Sequence, residues 1–439
     1  MIDADALRAL LPGHLVQQRW AGVGERTVEG VELAWLDAVG GGPNELLWLG
    51  ATARFSDGSA ETYQLFLGAR PAGDGVEFLQ GKDREIVGVV DGQVVYDALI
   101  DPELAVAVLH LVAPDREVEV RRPLVLEHSN SSVVYDEALI LKVLRKVHPG
   151  PNPDVEIPRV LAARGLTSVV APLAWLSRDG AHLAVLREFL VGATEGWQIA
   201  HTSVRDVLGS RLPPEECGAD FSADATRIGA LLAELHLGLA DAFGVDLVAP
   251  AVWADDMAEH LAEVAGGPAA TPFDPEAVRA RFDALRAVRD PAPAVTIHGD
   301  LHLAQLVLAD TGWYVLDWEG EPLRRRDDRF TRSSPLRDVA GMLRSLHYAA
   351  ATVLAEWDPD DEELCRLADQ WEARNRAAFL DGYLGVEGIA ALLPARPEDR
   401  AALLAAFELD KAVYEVGYEL SHRPDLVGIP AGGVARLLS

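Results

Sequence analysis

Three textures of apolar and polar positions succeed one another along the chain. Residues 1 to about 95 open with a short amphipathic helix, Ala4 to Leu11. They continue as alternating runs of strand length, at Gly30 to Leu36, Leu46 to Phe55, Thr62 to Leu67 and Glu85 to Tyr96. Gly40-Gly41-Gly42 and Asp57-Gly58 punctuate these runs as turns do, so the segment predicts a mostly β module with its own sheet. A helix over Pro102 to Val112 leads onward. Strand texture returns at Leu124 to Glu127, Ser132 to Tyr135, Leu139 to Leu144, Val169 to Trp175 and Leu183 to Phe189, interrupted by a helical stretch from Asp154 to Arg164. From Trp197 the apolar stripes take helical spacing, in Ala223 to Leu239, Met257 to Val264, Pro275 to Val288, Pro335 to Leu354, Glu362 to Leu384 and Arg400 to His422. A strand pair around residues 294 to 317 is the exception. The expected organisation is α+β: an N-terminal cap subdomain over 1–95, a β-rich lobe over 96–192 and a mainly helical lobe over 193–439.

Composition narrows the function. With 439 residues, 49% of them hydrophobic, the chain is long enough for two or three domains. Its 69 acidic and 39 basic residues give a formal net charge of -30, which repels nucleic acid and anionic lipid alike. The one cationic cluster, Arg324-Arg325-Arg326, is flanked by acids and reads as a solvated loop. No apolar run approaches a membrane span, and the N-terminus lacks the pattern of a signal peptide, so a cytoplasmic location is expected. Cys217 and Cys365 lie far apart without metal-ligand spacing, which predicts reduced thiols. A monomer or weak homodimer is expected.

Against that background one stretch carries chemistry. His298-Gly299-Asp300-Leu301-His302 is followed by Gln305 and then by an apolar run, Trp313 to Leu316, that ends at Asp317. Phosphoryl transfer needs a carboxylate to take the acceptor's proton and magnesium to neutralise phosphate oxygens. Asp300 suits the first role, and Gln305 and Asp317 suit the second through an amide oxygen and a carboxylate. His298 is expected to orient the loop by hydrogen bonding, and His302 to line the site or support it. A zinc reading of the His and Asp residues ranks below magnesium, because the His-x-x-x-His spacing falls on a loop.

A small β-rich lobe ahead of a larger helical one, with this loop in the second, is the layout of a bilobal protein kinase-like fold, in which ATP is expected between the lobes. Lys142, inside the apolar run Leu139 to Leu144, is the candidate phosphate lysine, and Glu156 at the start of the following helix is its expected partner. Ser129, Ser131 and Ser132 occupy the position of a phosphate-covering loop that here has no glycine. Glu188 and Leu190 fall where backbone would hold adenine. The glycine-free loop also admits a non-catalytic pseudokinase.

Together these motifs resemble the actinobacterial maltokinases and their relatives among the aminoglycoside phosphotransferase-like kinases. The likeness extends to Gln17-Gln18-Arg19-Trp20, Pro151-Asn152-Pro153-Asp154-Val155-Glu156, Gly196-Trp197-Gln198, the segment from Ser334 to Ser345, and Lys411 to Val416. It implies ATP- and Mg2+-dependent transfer to a sugar hydroxyl, with Asp300 as base, Gln305 and Asp317 on magnesium and Lys142 on phosphate. Maltokinases usually carry Phe after the metal-binding Asp, where this chain has Trp318, and the cap also departs from theirs. The chain looks more like the branch that phosphorylates glucosamine at its 6-hydroxyl. Maltose, giving maltose 1-phosphate, is the alternative acceptor, and an aminoglycoside a further one. A protonated amino sugar needs nearby carboxylates, for which Glu319 and Glu408 are candidates. Tyr414 and Tyr418, four apart on one helix, are candidates to stack on the sugar ring.

Overall fold

The computed structural model describes residues 2–24, 26–39, 45–73, 75–118, 124–127, 130–267, 270–321, 330 and 332–439, with the side chains of 124–127 excepted. Ser129, Gly40-Gly41-Gly42 and Arg324-Arg325-Arg326 therefore lie outside the described residues. The chain divides into two compact units, Met1–Arg159 with Val170–Val191, and Val160–Val169 with Gly192–Ser439.

The first unit contains α1 (Ala4–Gln17), β1 (Val28–Val39), β2 (Glu45–Phe55), β3 (Ala60–Pro71), β4 (Ile86–Val90), β5 (Gln93–Asp97), α2 (Pro102–Val112), β6 (Leu124–Glu127), β7 (Ser131–Tyr135), β8 (Leu139–Val143), the first turns of α3 (Pro153–Ala163), β9 (Ala174–Arg178) and β10 (Ala181–Glu188). Two antiparallel five-stranded sheets result, in the orders β1-β2-β3-β5-β4 and β6-β7-β8-β10-β9. The two-residue period of β2 explains how its sheet is covered on both faces. Leu47, Leu49 and Ala51 pack with Leu7, Leu11 and Leu15 of α1, while Leu46 and Trp48 join Leu104, Val108 and Leu109 of α2. That second cluster also takes in Leu141, Val143, Leu183 and Leu186, so one core serves both sheets.

Backbone hydrogen bonds tie the sheets as well. Gln64 N donates to Arg145 O at 2.8 Å and Val147 N to Thr62 O at 2.8 Å, which pairs the chain leaving β8 with β3. The run Glu85 to Tyr96, expected as one strand, is two, because Asp91 and Gly92 both take positive φ and turn the chain between β4 and β5. Val169 to Trp175 is mostly loop, and its strand begins only at Ala174.

The second unit holds the rest of α3, then β11 (Thr194–Glu195), α4 (Gly196–Ser210), α5 (Ser222–Phe243), β12 (Asp246–Val248), α6 (Pro250–Ala265), α7 (Pro275–Asp283), β13 (Ala292–Thr296), β14 (Leu306–Ala309), β15 (Gly312–Val315), β16 (Arg332–Ser333), α8 (Leu336–Trp357), α9 (Glu362–Leu384), α10 (Pro397–His422) and α11 (Gly428–Leu438). Helices α5 and α9 approach closely because each has a glycine at the crossing. A Cβ on Gly229 would lie 2.1 Å from Phe379 O, and one on Gly382 would lie 2.1 Å from Thr226 O. Short sheets β11-β14-β15 and β12-β13-β16 carry the segment from Thr296 to Asp317 against these helices.

Candidate active site

The loop after β13 is held in shape by one buried carboxylate. Asp338, in the first turn of α8, accepts hydrogen bonds from His298 N (2.8 Å) and Gly299 N (2.9 Å). Its Oδ2 also meets His236 Nε2 at 3.1 Å, and His236 Nδ1 meets the Tyr383 hydroxyl at 2.8 Å. Burial alone would raise the Asp338 pKa, but the hydrogen bond and charge of His236 outweigh it and hold the group below its ordinary value. His298 works as expected of an orienting residue. Its Nδ1 accepts from Asp300 N (3.3 Å), so the Nε2 that reaches Leu316 O (2.9 Å) carries the proton, a neutral tautomer that ties the loop to the end of β15. Gly299 has a φ of 85°, which an L side chain rarely adopts, and Gly341 lets α8 come close, since a Cβ there would lie 2.5 Å from Leu301 O.

Asp300 itself faces a cation. Lys411 Nζ on α10 lies 2.9 Å from Asp300 Oδ1 and 2.9 Å from Glu321 Oε1. Glu321 Oε2 is bound in turn by Arg337 at 2.9 Å, and the Lys411 ammonium stands 4.4 Å from the Tyr414 ring centre. Burial would lower the lysine's pKa. The carboxylates of Asp300 and Glu321 more than reverse this and keep the ammonium charged. The other oxygen, Asp300 Oδ2, has His302 Nε2 at 3.9 Å. His302 Nδ1 accepts from Ala304 N, and burial depresses the imidazole, so a neutral ring presents its N–H toward the carboxylate. A small cavity beside Asp300 is lined by Leu301, Glu321, Arg337, Asp410 and Lys411.

Gln305 and Asp317 are neighbours through the β14–β15 hairpin. Leu306 pairs with Val315, and Leu316 N donates to Gln305 O at 2.9 Å, which sets the two residues at the same open end. Asp317 has a φ of 57°, sparsely populated for a residue other than glycine. The 2.9 Å contact of His298 Nε2 with Leu316 O lays the loop that bears Asp300 against the strand end that leads into Asp317. An amide oxygen and a carboxylate oxygen are donors that suit Mg2+, which takes few protein ligands and completes its shell from phosphate and water. Among the described residues, no group of three or more His, Cys, Asp or Glu is placed to hold a metal by itself.

In the first unit, Lys142 projects from the face of its sheet opposite the core. Its paired neighbours Ser132 and Val185 share that face, while Leu141 and Val143 point into the core. The carboxylate that meets Lys142 is Asp154 (2.9 Å), not the expected Glu156, which pairs with Arg159 at 2.6 Å. The reason is local: Asn152 caps α3 by accepting from Asp154 N, which places Asp154 in the buried first turn. Ser131 sits on the core face, and its hydroxyl accepts from the fully buried Arg145 (2.8 Å). Glu188 is exposed and Leu190 half-buried, just past the end of β10.

The acceptor candidates on α10 separate. Glu408 is buried in an ion pair with Arg376 (2.6 Å), whereas Tyr414 and Tyr418 stack with ring centres 6.5 Å apart. Glu319 is half-buried in the turn after Asp317. Asp338 and Lys411 received no role from the sequence. The available signals were an acid in a helix's first turn and a lysine between the apolar Leu409 and Ala412, and both patterns also occur in purely structural positions.

No family model matches the chain. Among curated proteins, the glucosamine kinase of Streptacidiphilus jiangxiensis is 29% identical over 335 residues, 72% of this chain and 73% of that protein. The glucosamine kinase of Mycolicibacterium smegmatis is 28% identical over 331 residues, covering 72% and 79%. Among solved structures, a glucosamine kinase in complex with glucosamine, ADP and inorganic phosphate aligns over 100% of this chain and 99% of its own, with a TM-score of 0.66 at 23% identity. A glucosamine kinase in another crystal form reaches 0.71 over 100% and 98%, again at 23% identity. The fold is therefore that of the glucosamine kinases, and the resemblance to their branch read from the motifs is borne out in sequence as well.

Proposed function

We propose that this chain is an ATP-dependent sugar kinase that transfers a phosphoryl group to the 6-hydroxyl of D-glucosamine. The observation that carries the chemistry is that the loop bearing Asp300, pinned by Asp338, is tied through His298 to the strand end that leads into Asp317. The similarity to the curated glucosamine kinases supports the choice of acceptor. In this reading Asp300 uses Oδ2 to orient the acceptor hydroxyl and take its proton, while Lys411 holds Oδ1 still. His302 flanks that oxygen. Lys142 contacts the nucleotide's phosphates, with Ser132 on the same face. Gln305 and Asp317 hold Mg2+, which, when bound, neutralises charge on the transferring phosphoryl group.

A neutral acceptor such as maltose is the second reading, and one observation favours it. Four acids of α10 that could receive an ammonium are already bonded, Glu408 with Arg376, Asp410 with His260, Glu415 with Arg344 and Glu419 with Arg423. A coupled ADP-release assay of the purified chain with ATP, Mg2+ and separate glucosamine, glucose, maltose and kanamycin decides between them. Glucosamine is expected to give the highest kcat/KM. A preference for maltose would replace the acceptor and leave the catalytic roles standing, whereas no turnover with any sugar would remove the kinase reading.

A further inference from the structure

The acid that pairs with Lys142 is gripped by a second cation. Arg187, near the end of β10, is turned to the same face of the sheet as Lys142, because Val185 pairs with Lys142 and Arg187 stands two residues on. Its guanidinium donates to the Asp154 carboxylate, at 3.3 Å to Oδ2 and 3.2 Å to Oδ1, and also to the main-chain carbonyl of Asp154. One planar fork thus takes hold of a single residue at both its side chain and its backbone. Asp154 is 1% exposed and Arg187 12%, so neither has room to swing into water. Asn152 fixes the same turn from the other side by accepting from Asp154 N at 2.8 Å. A lysine–carboxylate pair at a helix start is a movable element where the helix can shift away from the sheet. Here an arginine of the sheet fastens that helix turn in place.

We infer that Arg187 is a positioning residue for the nucleotide lysine: by clasping Asp154 at its carboxylate and its carbonyl, it keeps the Lys142–Asp154 pair assembled before nucleotide arrives. The inference rests on the kinase reading of Lys142. It gives a role to a residue that the motifs did not single out. It also makes a specific claim about energetics, namely that nucleotide binding does not have to bring α3 into register.

The test pairs Arg187→Gln, which keeps a donor but loses the charge and the fork, with Arg187→Lys, which keeps the charge alone. ADP affinity is measured by calorimetry with and without Mg2+, alongside KM for ATP, KM for the acceptor sugar and the melting temperature. Arg187→Gln is expected to weaken ADP binding and raise KM for ATP by about tenfold, with the acceptor KM within about twofold of wild type. Arg187→Lys is expected to recover only part of the loss, because a point charge cannot hold two acceptors. In an Asp154→Asn background, Arg187→Gln is expected to add little, since both changes cut the same contact. Unchanged ADP affinity in Arg187→Gln would refute the inference, as would equal rises in both KM values or a full and additive loss in the Asp154→Asn background. Wild-type protein that binds no ADP would instead remove the kinase reading, and this inference with it.

Discussion

The two units hold mirror-image charge clusters. In the first, one carboxylate, Asp154, is met by two cations, Lys142 and Arg187. In the second, one cation, Lys411, is met by two carboxylates, Asp300 and Glu321. In each the central group is committed to its partners on two sides, and that makes it an anchor. The reagent stands at the edge. In the proposed reaction Lys142, bound to Asp154, is the phosphate ligand, and Asp300, the base, gives Oδ1 to Lys411 while Oδ2 faces the neutral His302. Precise placement of such a reagent accounts for much of a phosphotransferase's rate, because little covalent chemistry is asked of the protein.

The comparison breaks first at its reagents. Asp300→Asn keeps the volume and loses the proton acceptor, and is expected to lower kcat about 10³-fold with an unchanged circular dichroism spectrum. A near-normal rate in that variant would end the mechanism. Next comes the anchor of the same cluster. Lys411→Met leaves Asp300 and Glu321 without the cation they share, and is expected to lower kcat about 10²-fold and to destabilise the fold by about 3 kcal/mol in urea titration. If Lys411→Met retained full kcat, the lysine would be a bystander and the mirror false.

The contrast also marks how far residue order alone could be read. Asp300, Gln305 and Asp317 announce themselves because a loop, a fixed interval and an apolar strand end together constrain one chemistry. Lys142 shows as a charge within an apolar strand. The contacts that make the anchors do not show, because each joins distant elements: Arg187 lies 33 positions from Asp154, and Lys411 lies 111 from Asp300. Their meaning exists only once β10 pairs with β8 and α10 folds back over the loop. The choice of Asp154 over Glu156 turns on a capping hydrogen bond from Asn152, a difference of two residues that helical periodicity does not resolve. The fold was more legible. The run Pro102 to Val112 is α2 with those bounds, and the run Leu46 to Phe55 is β2 to within one residue. The run Glu85 to Tyr96 misled because Asp91-Gly92 is a short turn inside continuous apolar texture.

A further buried base shows burial prevailing where the neighbouring anion is already shared. His14 on α1 is 3% exposed, and burial lowers its pKa to about 4 against the attraction of Asp97. Asp97 is already bonded to the buried Arg145. Where two carboxylates keep Lys411 charged, one shared carboxylate does not keep His14 so. The unfolded histidine takes a proton near pH 6.5 and the folded one only near 4, so stability present above 6.5 is lost as pH falls through that window. Between pH 7.5 and 5 the loss from this group is expected to be about 2 kcal/mol, read as a drop in the urea midpoint. His14→Gln should flatten that part of the profile. An identical slope in wild type and variant would mean the imidazole is not held neutral.

The smallest effect discriminates between two acids in the same turn. If Asp154 is the anchor of Lys142, Asp154→Asn should raise KM for ATP about tenfold, and Glu156→Gln should change it less than about twofold. Glu156 is bound to the half-exposed Arg159 one turn along the helix, a pair whose loss costs little. Its other neighbour, His182 at 3.9 Å, is held below its ordinary pKa by burial and so brings no charge to the pair near neutral pH. A reversed ranking, with Glu156→Gln the more damaging, would show that α3 turns when nucleotide binds and exchanges one carboxylate for the other. In that case Asp154 and Arg187 would mark a resting arrangement, and the first cluster would be a switch where the second is a fixture.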